Sequence, residues 1–444
     1  MKKLCVFVVT ATILLIGCRT EPLINEEETI KKSSENVFEV PMSKISAFAI
    51  SYFDVSDYLN DYTQRKKSLK NARLSADGEV PLFSKDHEID KIDVLKGKAG
   101  EELLYVINFR AKNANESAKK GFVIMSADRR AIPVLAWSNE DSFTLEGEMP
   151  PSVEMWLGYA KELVQRAKKE KEPSKEALVA WRKLDEYTPK KNGRVAECTH
   201  PNPWICGICD PGYNITVGPV IDPISRWGQG RGYNNSMWNR DCGQCERANV
   251  GCGGVALGMI MRFDQRPATG YNFGIMPRMV AWNCTGLTAG EQEVARLLYN
   301  VSASMNSSNT LGCATFTLPH NIQDGFSWAG YSQVGYSTSD MGLMYNEVMF
   351  GRPVLMSGTT GPVNLNNAHY WVCDGVISTM YCVLADYNNP DPQTCICGGN
   401  IAYHMNWGWG GNWNGWFSLG NLRPDPNSSD VYNNWLRARV NVRP

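Results

Sequence analysis

Cysteine is distributed so unevenly that it divides the chain before any secondary structure is read. Of the 14 cysteines, Cys5 and Cys18 sit at the amino terminus. The others, Cys198, Cys206, Cys209, Cys242, Cys245, Cys252, Cys284, Cys313, Cys373, Cys382, Cys395 and Cys397, all lie beyond Arg194. The stretch between is lysine-rich and has none, whereas most of the tryptophan and glycine falls with the later cysteines. So abrupt a shift marks a domain boundary, and 444 residues exceed what one ordinary core needs. The expected division is 1–17 as a signal peptide, 18–34 as a tether, and domains over 35–194 and 195–444.

The amino terminus sets the compartment. Lys2 and Lys3 precede an apolar run over residues 4–16, too short to span a bilayer and long enough for a secretory leader. It ends in Leu15-Ile16-Gly17-Cys18, which resembles a bacterial lipobox, so Cys18 is expected to carry lipid and to be the only membrane attachment. An ordinary signal peptide ending near a cysteine is the alternative, and both place the protein outside the cytoplasm. Residues 19–34 are polar and acidic, a tether unable to bury enough surface to fold. A net charge of −1 gives no reason to expect nucleic acid as a partner.

In the 35–194 region the spacing predicts a helix over 45–59, strands over 103–109 and 122–126, and an amphipathic helix over 153–171, a small α+β domain. Its single histidine is His87, and it holds no catalytic motif. Lys168-Lys169-Glu170-Lys171 and Lys190-Lys191-Asn192-Gly193-Arg194 are polar stretches that serve as solvated linker or as a place for a proteolytic nick.

The chemistry concentrates around Gly251-Cys252-Gly253-Gly254. After the glycines, Val255, Ala256, Met259, Ile260 and Phe263 share one helical face, which sets Cys252 at the first turn of a buried helix. Unpaired amides and the positive dipole end favour a thiolate there, and small neighbours admit a substrate backbone. Half of a disulfide is the competing role. A thiolate nucleophile needs a proton partner with a near-neutral pKa. His200, His320, His369 and His404 are available; His369 opens the apolar strand pattern 369–376, expected to end in a turn at Asp374-Gly375. His404 leads into Asn406-Trp407-Gly408-Trp409-Gly410-Gly411 and is the rival base. Asn406 can accept an imidazole N–H, Trp407 can shield that pair from water, and Gln229 in Trp227-Gly228-Gln229 can donate to an oxyanion.

In this order the four segments resemble the streptopain family of cysteine peptidases, whose members carry W-x-Q, G-C-x-x-x-A, a histidine-led strand with Asp-Gly, and N-W-G-W-G-G. Here these are Trp227/Gln229, Gly251-Cys252/Ala256, His369/Asp374-Gly375 and residues 406–411. The resemblance implies Cys252 as nucleophile, His369 as base, Gln229 as oxyanion donor, and Asn406 and Trp407 as support for the histidine. It leaves His404 a structural residue. It also implies a papain-like, two-lobed α+β peptidase over 195–444, with 35–194, including Gly121 to Arg129, as an inhibitory propeptide cut near Lys190. No cofactor is implied. The expected function is a secreted cysteine endopeptidase made as a zymogen, with protein or peptide substrates, anchored as a precursor and released when mature. A catalytically silent surface binding protein is the alternative.

The cysteines depart from the family pattern. With Cys5, Cys18 and Cys252 set aside, the rest are odd in number, so full mutual pairing is impossible. Cys206/Cys209 and Cys242/Cys245 have spacing acceptable for a four-thiolate zinc site, but disulfides suit the compartment better.

Overall fold

Residues 102–111 and 120–126 are almost uninterrupted runs of buried side chains, so both faces of these strands must be covered. A computed structural model shows how. It describes residues 37–53, 87–112, 120–188, 197–198, 209, 212–308, 312–358, 368–386, 394–419 and 436–444; the leader, the tether and the Lys190 linker lie outside these. Strands β1 (His87–Lys96), β2 (Glu102–Ala111), β3 (Lys120–Ser126) and β4 (Val134–Ser138) form an antiparallel meander. Side chains alternate between faces. Tyr105, Ile107 and Phe109 meet the helix that begins at residue 42, through Ile45, Phe48 and Phe53. Leu104 and Val106 instead share a core with Val153, Trp156 and Val164 of the Pro151–Ala167 helix. A further helix, Lys175–Glu186, leads to the short pair β5 (Tyr187–Thr188) and β6 (Glu197–Cys198), which flanks the linker.

The remaining strands are β7 (Gly212–Val217), β8 (Gln333–Thr338), β9 (Val354–Gly358), β10 (His369–Leu384), β11 (Cys395–Asn406), β12 (Gly415–Ser418) and β13 (Arg437–Arg443). They do not form a sheet of their own. Among the described residues a single eleven-stranded sheet runs β1-β2-β3-β4-β12-β11-β10-β9-β13-β8, with β7 also on β10. The join is β4 on β12, Trp137 opposite Trp416 and Ala136 opposite Phe417. Trp137 and Trp416 stack at 6.2 Å, and Trp156 meets Phe417 edge-on at 4.8 Å. The Trp156 indole donates to the Ser418 carbonyl at 3.1 Å, and the Tyr159 hydroxyl to Leu419 at 2.8 Å. The compositional boundary near Arg194 is therefore crossed by a continuous sheet, and Val40–Pro444 is one compact unit.

Away from the sheet, helices Cys252–Asp264, Ala289–Ser304 and Ile322–Trp328 gather around Met259, Ile260, Leu298, Val301 and Phe326, and Tyr370 and Val372 of β10 enter the same core. The expected α+β class holds, with a helical lobe bearing Cys252 against a sheet bearing His369. The expected elements largely match. Residues 42–53 are helical, and the remainder of the helix expected to residue 59 lies outside the described residues.

One local expectation fails. Asp374-Gly375 is not a turn, because β10 runs on to Leu384 through a register shift there. A Cβ on Gly375 would sit 3.0 Å from His404 Cβ and 3.0 Å from the Trp416 ring, so the glycine serves close packing. The described CxxC cysteines are not gathered in one site: Cys242 bonds Cys313, Cys245 bonds Cys284, and Cys209 bonds Cys395, while Cys206 lies outside the described residues; Cys382 bonds Cys397 across the β10–β11 hairpin. Cys373 is buried with a free thiol.

If the Trp137 joint carries the weight its burial implies, Trp137→Ala should cost about 3–5 kcal/mol of unfolding free energy. A denaturant midpoint indistinguishable from wild type would show that the β4–β12 joint is energetically idle.

Candidate active site

Cys252 owes its place to the residue before it. Gly251 has φ 83°, and a Cβ there would lie 2.4 Å from the Thr315 carbonyl oxygen, so only glycine lets the chain turn into the helix. Gly253 to Met261 are then buried without a break. Glycine is also forced at 254 and 258, where the Ser302 hydroxyl and Leu298 occupy the space of a side chain. The result is a half-buried, unbonded thiol at the first position of a buried helix. Burial raises its pKa, opposed by hydrogen bonds from the amides of Tyr370, Gly253 and Cys252 itself. The net shift is upward.

His369 begins β10, opposite Gly358 of β9, and is buried. Its Nε2 lies 3.0 Å from the Trp407 carbonyl oxygen. A carbonyl oxygen only accepts, so Nε2 carries the proton and Nδ1 keeps the lone pair a base requires. Burial lowers the pKa of His369 to about 4, against the Trp407 contact that raises it. At neutral pH the thiol and the imidazole are thus both uncharged. No hydrogen bond joins them among the described residues. Along β10, Tyr370 and Val372 pack with the Cys252 helix, while the His369 ring stacks on Trp371, which belongs to the core containing Met155 and Trp156. Met155 also abuts Gly358, where a Cβ would approach its methyl group to 2.7 Å.

The other expected residues converge, though not all in the expected way. The Val250 amide donates to the Gln229 carbonyl at 3.0 Å, and the Gly410 amide to the Trp227 carbonyl at 3.0 Å. The 227–229 segment therefore bridges the nucleophile's lead-in and the 407–411 turn. Asn406 is fully buried but does not reach His369; its amide donates to the Ser225 carbonyl at 2.8 Å and its oxygen accepts from Gly408 at 3.3 Å. Trp407 supports the histidine through its main-chain carbonyl, its own indole donating to Trp413 at 3.0 Å. A main-chain partner has no residue-type signature and cannot be read from sequence.

His404 has a different role. Its Nδ1 is 2.6 Å from Asp374 Oδ1, and Asp374 Oδ2 accepts from the amides of Ile221 at 2.9 Å and Asp222 at 2.8 Å. Burial pushes the His404 pKa down, but Asp374 outweighs it and holds the ring above its ordinary value. Next to this pair, Asp222 accepts from Asn414 at 2.6 Å and from Arg226 at 2.7 Å, and Arg226 reaches across to Asp141 at 3.0 Å and Glu140 at 2.6 Å. Sequence reading passed over this cluster, since its members lie far apart in the chain.

Removing one member of a buried ion pair strands the other, at about 3–5 kcal/mol. His404→Ala should lower stability by that much, whereas His369→Ala, losing one neutral hydrogen bond, should cost only about 1–3 kcal/mol. Denaturant melts of the two proteins test this; equal midpoints would remove His404 from its structural role.

The chain is similar to known proteins over two regions. Residues 269–417 match the Peptidase C10 family, and residues 55–164 match the Spi protease inhibitor family. The chain is 25% identical over 397 residues to the thiol protease/hemagglutinin PrtT of Porphyromonas gingivalis, with 81% of this chain and 39% of that protein covered. It thus spans about two fifths of that relative's length. Among solved structures it is similar to a fragment of Prevotella intermedia prointerpain A, at 16% identity and TM-score 0.46, covering 80% of this chain and 98% of that one. Active interpain A from the same organism gives 16% and 0.34, covering 54% and 96%. Residues 269–417 are thus similar to the peptidase C10, or streptopain, family, and residues 55–164 ahead of them are similar to a protease inhibitor.

Proposed function

We propose that the chain is a cysteine endopeptidase, exported and lipid-anchored through Cys18 as an inactive precursor, with residues 35–194 as its propeptide and 195–444 as its peptidase domain. The observation that carries this reading is the unbonded, half-buried Cys252 thiol at the start of a buried helix, beside the His369 strand. In the reaction His369 Nδ1 takes the thiol proton as sulfur attacks the peptide carbonyl. The oxyanion is met by the Cys252 amide and the Gln229 side chain. The C–N bond breaks as His369 returns the proton to the leaving amine, and water deprotonated by His369 then hydrolyses the thioester. Asn406 and Trp407 hold the 407–411 turn, whose carbonyl fixes the imidazole tautomer.

Latency follows from the same contacts. With thiol and imidazole uncharged and not bonded to each other, attack has no driving group, and Met155 of the propeptide helix packs beside Gly358 and Trp371, the surroundings of His369. Withdrawing that helix would free His369 to meet Cys252. A cut in the linker separates the peptidase domain from the anchor on Cys18, so maturation is also release.

Cys252→Ala should abolish cleavage and labelling by a thiol-directed peptidase inhibitor, and should leave full-length precursor in the membrane fraction. Cys18→Ser should move the precursor to the soluble fraction. Activity above background in Cys252→Ala would falsify the nucleophile assignment.

Docking of the propeptide should also depend on pH. Burial raises Asp141 to about 6, with Arg226 lowering it and Asp222 and Glu140 raising it. A pKa raised in the docked state stabilises docking below the free value and loses that contribution as pH rises through about 6. Isolated residues from about 35 to 190, added to mature enzyme blocked at Cys252 by a small thiol-alkylating reagent, should therefore bind more tightly near pH 5 than near pH 7. Asp141→Asn should flatten this difference in titration calorimetry. An unchanged slope would show that Asp141 is not the group responsible.

A further inference from the structure

Resting on the peptidase reading above, the surface beside Gln229 carries information on substrate choice. Trp282 is 59% exposed, and its ring lies so close over Gly230 that a Cβ there would be 2.9 Å from it. Gly230 directly follows Gln229, whose carbonyl is bonded to Val250, two residues before Cys252. On the same loop Met279 is 51% exposed. Single exposed apolar residues need no explanation, but an exposed indole lying over the residue that follows Gln229 offers an apolar face that water covers poorly.

That loop is also fixed. The Arg226 amide donates to the Arg278 carbonyl at 2.8 Å, the Val280 amide to the Tyr233 hydroxyl at 3.0 Å, and the Ala281 amide to Glu291 at 2.7 Å. Val280 is buried between these bonds, and the Cys245–Cys284 disulfide holds the far side of Trp282. An exposed tryptophan on a backbone pinned at this many points is preorganised: it loses little freedom when something packs on it.

The geometry points to Trp282 as a specificity-determining residue, a platform that takes a large apolar side chain of the substrate close to the cut bond. Mature wild type, Trp282→Ala and Trp282→Phe are compared on a peptide library varied at each position around the cut, with Phe350→Ala as an exposed apolar control remote from Gln229. Trp282→Ala should lower kcat/KM about tenfold or more for peptides with leucine or phenylalanine at one position. Peptides with alanine at that position should be unaffected, and Trp282→Phe should retain most of the preference. A profile unchanged in Trp282→Ala, or a fall equal for every peptide, overturns the assignment while leaving the peptidase reading intact. A wild-type preparation that cleaves nothing overturns both.

Discussion

The carboxylate of Asp374 is the point on which the site's architecture turns. It sits inside β10, buried, and spends one oxygen on His404 of the neighbouring strand and the other on two consecutive amides, those of Ile221 and Asp222. The second set of bonds anchors the segment that continues through Arg226 and Trp227 to Gln229. From there the coupling spreads. Asp222 presents its carboxylate to Arg226, and Arg226 meets Glu140 and Asp141 of the inhibitor-like region. One buried charge thus organises a β-bulge, a loop beside the nucleophile and a contact between the two compositional halves. In a low-dielectric interior such a group is tolerated only when every lone pair is occupied, and here each oxygen is.

Around that frame Cys252 and His369 make no hydrogen bond to each other among the described residues. Neighbouring residues of β10 face opposite sides, so Tyr370 joins the helical core while His369 stacks with Trp371 toward the other. Burial acts on both groups in the direction of neutrality, raising the thiol and lowering the imidazole. Neither effect requires a bulky plug in front of Cys252.

Much of this was legible in the sequence, for definite reasons. Gly251-Cys252-Gly253-Gly254 before a helical apolar face announces a thiol at a helix start, because glycine and burial leave few other conformations. The expected helix over 153–171 and strands over 103–109 and 122–126 were found because their periodicities are strong. The Asp374-Gly375 turn was misjudged because Asp-Gly is favoured in turns and nothing local reveals that a buried histidine and a tryptophan ring crowd the glycine. Support for His369 was assigned to the Asn406 side chain, whereas the next residue's main chain supplies it. Cysteine arithmetic foretold an unpaired thiol but could not single out Cys373, and it had no means of choosing partners. Least visible was the shared sheet, because β4 and β12 read as separate short strands until they are seen side by side.

That shared sheet has a consequence for what would remain if the amino-terminal region were cut away. While β4 is present, β12 is an interior strand with Trp416 and Phe417 covered. Without it, β12 becomes an edge whose amides and carbonyls are open to any extended chain, next to aromatic rings newly in water. At four residues the edge is short, which limits how firmly a stray strand can pair with it. The brevity of β12 would then act as a safeguard against self-association.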